Sequence, residues 1–297
     1  GFPIKNISLA ITTVLFIVLF GAGSIAYDNF LSFSTFFNLF NDNAYLIIAS
    51  IGITFVLLTG GIDISIASTI AFTCVFSAFL LRLGWSPFIV IPLVLLIGLA
   101  FGALMGYMIH YFKLQPFIVT LAGQFFMRGM CAVISTESIP ISDEFYKTMA
   151  LTKITLLGGR IYFYVFIALA VLLVSLAACS KQDEAPQEER FGRTVYAVGG
   201  NEQSAILMGL PVARTKVAVY AISSFCAALA GVVFSFYTLA GYSLQNMGLE
   251  LDAISSSVIG GTLLTGGVGN VVGTTVGVLI QGVIQTIGTY QNLNTWW

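Results

Sequence analysis

Nine apolar runs, separated by short polar stretches, set the pattern of this chain. The runs are residues 7–27, 44–60, 66–83, 88–110, 116–136, 161–180, 217–240, 252–265 and 271–289. A backbone that crosses lipid must bond its own polar groups, so unbroken apolar runs predict transmembrane helices. The strict alternation of a membrane β-barrel is missing from them. The pattern therefore predicts an all-α polytopic helix bundle with about nine visible helices.

Several runs are short or end in paired glycines, which predicts broken or re-entrant helices. In LLTGGIDIS, residues 57–65, a helix meets Gly60 and Gly61, and a new apolar run follows Asp63. Asp63 either caps that next helix by accepting backbone N–H groups, or contacts a substrate or ion at membrane depth. LLTGG recurs at 263–267. The recurrence favours two broken helices, each ending at LLTGG, in equivalent positions of two half-bundles.

Composition places the whole chain, 1–297, in the membrane as a single domain. It is 58% hydrophobic and 8% charged, whereas an average soluble domain has about 25% charged residues. The net charge of −1 leaves no basic surface for nucleic acid. Four scattered cysteines without a CxxC pair are interpreted as small buried packing residues rather than a redox or metal site.

The sequence lacks the common motifs of catalysis. It contains no GxxxxGK[ST] loop for ATP, no HExxH, no GxSxG and no ladder of intramembrane carboxylates. The single histidine, His110, lies at the end of an apolar run and is interpreted as an interfacial anchor. We therefore expect a protein with no catalytic, metal or cofactor site of its own.

Uncharged polar residues within the apolar runs indicate a path for a solute. Glu250 and Asp252 lie where a helix would begin, and acidic residues there suit the helix dipole. Hydroxyls and amides without net charge suit a neutral, hydroxyl-rich solute better than an ion. The candidate residues of the path or of the helix breaks are Gly60, Gly61, Asp63, Gln124, Ser255, Ser256 and Gln281.

One charged segment, 181–216, interrupts the apolar pattern. It holds five of the twelve Lys and Arg residues and five of the thirteen Asp and Glu residues, so it must lie outside the bilayer. With the N-terminus in the cytoplasm, this segment, Lys5 and Lys113 place seven basic residues inside. The four basic residues then outside are Arg82, Lys147, Lys153 and Arg160. This bias predicts that 181–216 is a cytoplasmic loop.

Within this loop, FGRTVYAVGGNEQSAILMGL, residues 191–210, predicts a short helix. Asn201 is placed to cap a helix over 202–209. Its apolar side includes Leu207 and Met208. This side is either a surface that docks into a soluble partner or the face of an interfacial helix that lies on lipid.

Four segments together resemble the permease subunits of bacterial ABC sugar importers of the ribose and galactose type. They are TGGIDIS (59–65), LQPFIVTLAGQFFMRG (114–129), FGRTVYAVGGNEQSAILMGLPV (191–212) and ELDAISSSVIGGTLLTGGVGNVVGT (250–274). The combination of TESIPIS (136–142) with GGTLLTGGVG (260–269) and the final NTWW resembles most closely one of the two permeases of the galactofuranose importer. The resemblance implies an inner-membrane permease that moves a monosaccharide by alternating access.

The resemblance also implies partners. A cytoplasmic ATPase subunit, which binds ATP and magnesium, would receive the helix at 201–210 in a groove as a coupling helix. A periplasmic sugar-binding protein would dock outside, and a second permease, a paralogue of this chain, would complete the path within the lipid. The implied coupling residues are Gly199, Gly200, Asn201, Glu202, Ala205, Met208 and Gly209.

The chain departs from that family's pattern at three places. Ala67 replaces the glycine that usually follows the GGID motif. Residues 181–190 are polar, broken by proline and expected to be mobile, and they are more acidic than the usual basic link. The family's last helix would follow Trp297, so ten helices are expected in the full-length protein.

An alternative from another class is an ion-coupled secondary transporter or a channel. Such a protein needs an ion site or charged relay within the membrane. Asp63 and Arg128 are the candidate residues for it.

Overall fold

The computed structural model describes residues 4–27, 30–156, 158–180 and 191–291, which form a bundle of helices. The helices are α1 (Ile4–Ala26), α2 (Phe33–Leu58), α3 (Ile66–Arg82), α4 (Pro87–Tyr111), α5 (Pro116–Ile134), α6 (Glu144–Leu151), α7 (Phe163–Ser180), α8 (Phe191–Gly200), α9 (Glu202–Leu207), α10 (Val212–Thr238), α11 (Leu249–Ile259) and α12 (Val271–Tyr290). The strands are β1 (Ile139–Pro140), β2 (Lys153–Leu156), β3 (Gly159–Tyr162) and β4 (Ala240–Gly241). The nine predicted runs correspond to α1–α5, α7 and α10–α12, which confirms the all-α bundle.

Two parts of the chain that carried predictions lie outside the described residues. They are the acidic lead-in at 181–190 and the end of the chain at 292–297.

Helix α2 begins at Phe33, so the prediction of a helix from residue 44 was wrong at its start. Of the polar residues before position 44, Asn41 lies buried inside the helix because tertiary contacts satisfy its side chain. The side-chain nitrogen of Asn41 donates to the carbonyl of Arg160 over 2.7 Å, and its oxygen accepts from the N–H of Tyr162 over 3.1 Å. Asn43 donates to a carbonyl of its own helix over 2.9 Å. The two bonds of Asn41 attach β3 to α2.

Helix α11 ends at Ile259, whereas the apolar run predicted a helix to residue 265. Residues 260–270 form a loop in which Gly261, Gly266 and Gly267 have positive φ angles of 92°, 86° and 75°. With 11 residues, α11 is about 16 Å long, which is shorter than the ~30 Å hydrocarbon core of a bilayer. The predicted helix break is therefore present, and it comes earlier than expected.

Helices α6 and α8 have no counterpart among the nine predicted runs because each is short and lies in a polar stretch between those runs. Asp143 caps α6, since one carboxylate oxygen accepts the N–H groups of Phe145 and Tyr146 over 2.9 and 3.2 Å. Helix α8 buries Val195 and Val198 against the bundle. Burial of a few side chains thus stabilises helices that a hydropathy pattern does not detect.

Six helices among the described residues are long and apolar enough to cross a membrane, namely α1, α2, α4, α5, α10 and α12. Helices α2 and α10 bury most of their length inside the molecule, while α1 lies at the edge with most of its surface exposed. Helix α10 packs against α4, α2 and α3. The core of the bundle therefore surrounds α2 and α10.

The two ends of the bundle carry different small elements. At one end, α8 and α9 lead into the start of α10. At the other end, β4 follows α10 and pairs antiparallel with β1. The antiparallel pair of β2 and β3 lies at this second end, where Asn41 attaches it to the first half of α2.

Glycines at every fourth position of α4 let this helix approach α10 closely. A Cβ atom added at Gly102 would overlap the carbonyl oxygen of Tyr220, and one at Gly106 would lie 2.8 Å from the Cα of Val217. Gly98 faces α10 in the same way. Small residues at such spacing allow van der Waals contact between backbones in lipid, where no hydrophobic force brings helices together.

We expect Gly102→Leu to separate α4 from α10 and to destabilise the bundle by about 1–3 kcal/mol, the usual effect of overpacking. The matched control is Gly129→Leu on α5, where an added Cβ meets no atom within 4 Å. Thermal unfolding of the detergent-purified variants measures the difference. Equal midpoints for the two variants would contradict the proposed close packing.

Candidate functional site

Helix α9 is the short capped helix that the sequence predicts. Asn201 caps it, because its side-chain oxygen accepts the N–H of Ser204 over 2.9 Å. The helix ends two residues before the predicted position 209, at Leu207. The turn that follows closes through the N–H of Leu210, which donates to the carbonyl of Ala205 over 3.1 Å. Gly209 supplies the positive φ of 74° that this turn requires.

One side of α9 is fixed to the bundle and the other is exposed. Ala205 is buried against α8 and the start of α10. Lys216 of α10 donates to both carboxylate oxygens of Glu202 over 2.7 Å. On the opposite side, Leu207 is 88% exposed and Met208 is 65% exposed. The predicted apolar face therefore points away from the bundle on a fixed base.

Immediately before α9, three glycine-bearing segments meet backbone against backbone. We call this contact the glycine junction, and it consists of Gly60, Gly199, Gly200, Gly266 and Gly267. It joins the end of α2, the end of α8 and the loop at 260–270. Of the candidate coupling residues, Gly199 thus lies against Leu58 at the end of α2, and Gly200 lies against Gly267.

The distances at Gly199 and Gly266 leave no room for side chains. A Cβ added at Gly199 would overlap the carbonyl oxygen of Leu58, and one at Gly266 would lie 2.7 Å from the nitrogen of Gly60. The N–H of Gly267 donates to the carbonyl of Leu58 over 2.9 Å. Gly60, Gly266 and Gly267 all have positive φ angles. Glycine is required here both by its conformation and by the close approach.

The two LLTGG fragments do not occupy equivalent positions in two half-bundles. The first ends α2, as predicted, but the second lies in the loop after α11 and ends no helix. Both fragments lie at the same end of the bundle and contact each other at the glycine junction. The prediction that each ends a helix was therefore wrong for 263–267, because α11 stops four residues earlier.

Asp63 follows the first break and is fully buried. One carboxylate oxygen accepts from the N–H and the hydroxyl of Ser65 over 3.0 and 2.6 Å, and the other accepts from the hydroxyl of Ser223 over 2.8 Å. The bonded N–H belongs to Ser65, which is itself the N-cap residue of α3, so Asp63 fixes the turn before α3 and accepts no N–H of the helix. The bond to Ser223 also attaches the break to α10, a contact that the sequence did not predict. Gly61 beside it packs on Tyr220.

A polar cluster between α5 and α11 contains the candidate path residue Gln124. We call Gln124, Arg128, Asn246 and Glu250 the α5–α11 cluster. Gln124 donates to Glu250 over 3.2 Å, and one guanidinium nitrogen of Arg128 donates to the carbonyls of Ser243 and Gln245 over 2.6 and 2.8 Å.

Three buried atoms of the α5–α11 cluster lack a hydrogen-bond partner among the described residues. They are the second guanidinium nitrogen of Arg128, one carboxylate oxygen of Glu250 and the amide nitrogen of Asn246. An unpaired buried polar group costs about 1–3 kcal/mol. The cluster therefore has unused capacity for a polar ligand or a partner.

Gln281 and Ser256 meet beside the α5–α11 cluster, at the contact of α11 with α12. The amide nitrogen of Gln281 donates to Asp252 over 2.6 Å, and its amide oxygen accepts from the hydroxyl of Ser256. Ser255 is exposed and bonds only within its own turn, to the carbonyl of Asp252. From the sequence, Glu250 and Asp252 were expected only to interact favourably with the helix dipole. Their side chains also contact Gln124 of α5 and Gln281 of α12. Carboxylates at the start of an apolar run are the signal that could have indicated such contacts.

The described cysteines Cys74, Cys131 and Cys226 are buried and unpaired, as the packing interpretation predicts. Cys74 lies on α3, Cys131 on α5 and Cys226 on α10.

We expect Gly199→Ala to disrupt the glycine junction, since its methyl group would overlap backbone atoms of α2 and of the 260–270 loop. Gly200→Ala is the matched control, because an added Cβ there meets no atom within 4 Å. The first variant should unfold at a clearly lower temperature, with a loss on the order of 1–3 kcal/mol. A Gly200→Ala variant as unstable as Gly199→Ala would argue against backbone contact as the reason for these glycines.

The comparisons with known proteins agree with this architecture. The family model described as "Branched-chain amino acid transport system / permease component" matches residues 35–297. The inner membrane ABC transporter permease protein YjfF of Escherichia coli K12 is 45% identical over 296 residues, which are 99% of this chain and 87% of that protein. The fructose import permease protein FruG of Bifidobacterium longum is 37% identical over 279 residues, with 92% and 81% covered.

The ribose import permease protein RbsC of Haemophilus influenzae is 33% identical over 272 residues, which are 92% of this chain and 82% of that protein. No solved structure matches the chain. A match over nearly the whole length, on a bundle with six helices able to span a bilayer among the described residues, settles the family. The chain belongs to this permease family of ABC transporters and is a multi-pass protein of the inner membrane.

Proposed function

We propose that this chain is the permease subunit of an ATP-driven monosaccharide importer, and that a separate ATPase drives it through α9. The observation that carries the proposal is the exposed apolar side of α9 on a base fixed to the bundle. Relatives named as import permeases for fructose and ribose support a sugar as the solute.

The character of α9 favours a protein groove over a lipid surface. Ile206, Leu207 and Met208 are all more than half exposed at its tip. Interfacial helices usually carry Lys and Arg on their polar side. Helix α9 carries instead the acidic Glu202, which Lys216 neutralises from α10. A compact apolar tip without basic residues suits insertion into a groove of a soluble subunit.

The glycine junction supplies a route from α9 into the membrane. A displacement of α9 moves the end of α8, whose backbone rests on the carbonyl of Leu58 and on Gly267. Leu58 ends α2, and Gly267 belongs to the loop that connects α11 with α12. Contacts between backbones transmit displacement because they contain no flexible side chain to absorb it. A switch between inward-open and outward-open states would use this route.

The solute would meet the unpaired atoms of the α5–α11 cluster. Donors from Arg128 and Asn246 and an acceptor from Glu250 match hydroxyl groups, which both donate and accept. Among monosaccharides we propose galactofuranose, on the resemblance of TESIPIS at 136–142. A periplasmic sugar-binding protein would deliver it, and a paralogous second permease would complete the path. ATP and magnesium would bind to the ATPase subunit and not to this chain.

We expect Leu207→Asp to abolish co-purification with a P-loop ATPase and to stop sugar uptake, because a charge would be buried without a partner in the groove. Leu151→Asp is the control, since Leu151 is 73% exposed at the other end of the bundle. Pull-down from detergent extracts and uptake of labelled sugar measure both effects. Intact association and uptake in Leu207→Asp would refute the coupling role.

The rival mechanism, coupling to an ion gradient, gives the opposite result in the same cells. Uptake that persists after ATP depletion and collapses with the proton or sodium gradient would replace our proposal.

We expect Glu250→Gln to raise the KM for sugar about tenfold, the loss of one hydrogen bond to a charged acceptor. Glu144→Gln, on the surface of α6, removes the same charge far from the path and should leave the KM unchanged. Uptake kinetics in whole cells measure both. An unchanged KM in Glu250→Gln would exclude the α5–α11 cluster as a solute contact.

A further inference from the structure

A second polar site lies at the end of the bundle opposite α9, in a cavity that we call the α2–α10 cavity. Its volume is about 290 Å³, close to the lower end of the range of about 300–1,000 Å³ for small-molecule sites. It is lined by Asn38, Asn41, Asp42, Ala150, Tyr162, Tyr164, Phe236 and Tyr237. These residues come from α2, α6, β3, α7 and α10 of one chain.

The aromatic side of the α2–α10 cavity is rigid. The rings of Tyr162 and Tyr164 stack with centroids 5.5 Å apart and an angle of 3° between their planes. The ring of Tyr237 meets Tyr164 edge-on at 6.4 Å. Asn41 holds the chain at Tyr162 against α2 by bonds at both ends of its amide. Aromatic faces carry partial negative charge and attract the polarised C–H groups of a ring.

The polar side of the cavity offers donors and acceptors one helical turn apart. Asn38 and Asp42 are both exposed on the same face of α2. Tyr237 of α10 lines the same cavity as Asp42. A planar amide and a carboxylate can together bind neighbouring hydroxyl groups, one as donor and the other as acceptor.

The lining selects among classes of ligand. No lysine or arginine is among the lining residues that the structure describes, so the carboxylate of an amino acid or another anion finds no cation. One carboxylate alone makes a poor metal site, and the described residues contain no group of metal ligands. An acyl chain would fit this polar lining less well than it fits a separate apolar cavity lined by Phe20, Leu31, Phe33 and Phe36. The ligand class that fits this lining is therefore a small neutral ring with several hydroxyl groups.

We propose that the α2–α10 cavity is a monosaccharide subsite within a single permease subunit, in which Asp42 and Asn38 bind hydroxyls and the tyrosines pack on the sugar ring. The inference rests on the proposed sugar import. It adds a second sugar-binding site at the end of the bundle opposite α9, separate from the α5–α11 cluster. Helices α2 and α10, which form its walls, run from this cavity to the glycine junction and to Lys216 beside α9.

Protection of an engineered cysteine tests the subsite. In the permease–ATPase complex, reconstituted without the binding protein, Ala150→Cys would be labelled by a polar thiol reagent. Thr148→Cys, exposed on the same helix outside the lining, is the matched control. Unsubstituted complex supplies the background from native cysteines. The probe is whichever of galactofuranose, D-ribose, D-fructose or D-allose the unsubstituted complex imports in a separate uptake assay.

The expected result is that this sugar slows labelling at position 150 and leaves labelling at position 148 unchanged. Asp42→Asn should raise the sugar concentration for half-protection about tenfold, the effect of losing a charged acceptor. Asn38→Ala should act in the same direction, and Glu137→Gln on the surface should have no effect.

Two different failures are distinguishable. If none of the four sugars is imported, the proposed function falls and the subsite falls with it. If one is imported but does not protect position 150, or protects positions 148 and 150 equally, sugar import stands and the subsite is overturned. Protection that is unchanged in both Asp42→Asn and Asn38→Ala likewise overturns it.

Discussion

The contact between three backbones at the glycine junction is the constraint on which the arrangement of this permease depends. Any side chain larger than hydrogen at Gly199 would overlap α2, and one at Gly266 would crowd Gly60. The end of α2, the base of α9 and the 260–270 loop therefore hold one position relative to each other. The break after α2, the loop after α11 and the start of α9 all lie at this single approach.

Polar groups in the bundle fall into two kinds. Asp63 is enclosed and fully bonded to Ser65 and Ser223, so it stabilises one arrangement of α3 against α10. In the α5–α11 cluster, Arg128 and Glu250 each keep one unpaired buried atom. A bonded carboxylate fixes a structure, whereas unpaired groups lower the cost of admitting a polar solute. The first kind belongs to the scaffold, and the second is suited to transport.

The long enclosed helices α2 and α10 connect the two ends of the molecule. At one end they contact the glycine junction and α9, and at the other they line the α2–α10 cavity. Packed helices move as rigid bodies, so a displacement of one end of α2 or α10 also displaces its other end. This geometry would connect the proposed coupling helix to the proposed solute sites within one chain.

The sequence by itself determined the membrane class, the nine apolar helices, the cap at Asn201 and the family. These follow from hydropathy, local hydrogen bonds and contiguous motifs, all of which act over a few neighbouring residues. Only the tertiary structure decided that α2 begins at Phe33, that α11 ends at Ile259, and that Gly60, Gly199 and Gly266 meet. It also brought Asn38 and Asp42 to the tyrosines of α7 and α10. Such contacts join residues far apart in the chain, and their partners satisfy polar groups that the local pattern reads as breaks or as surface.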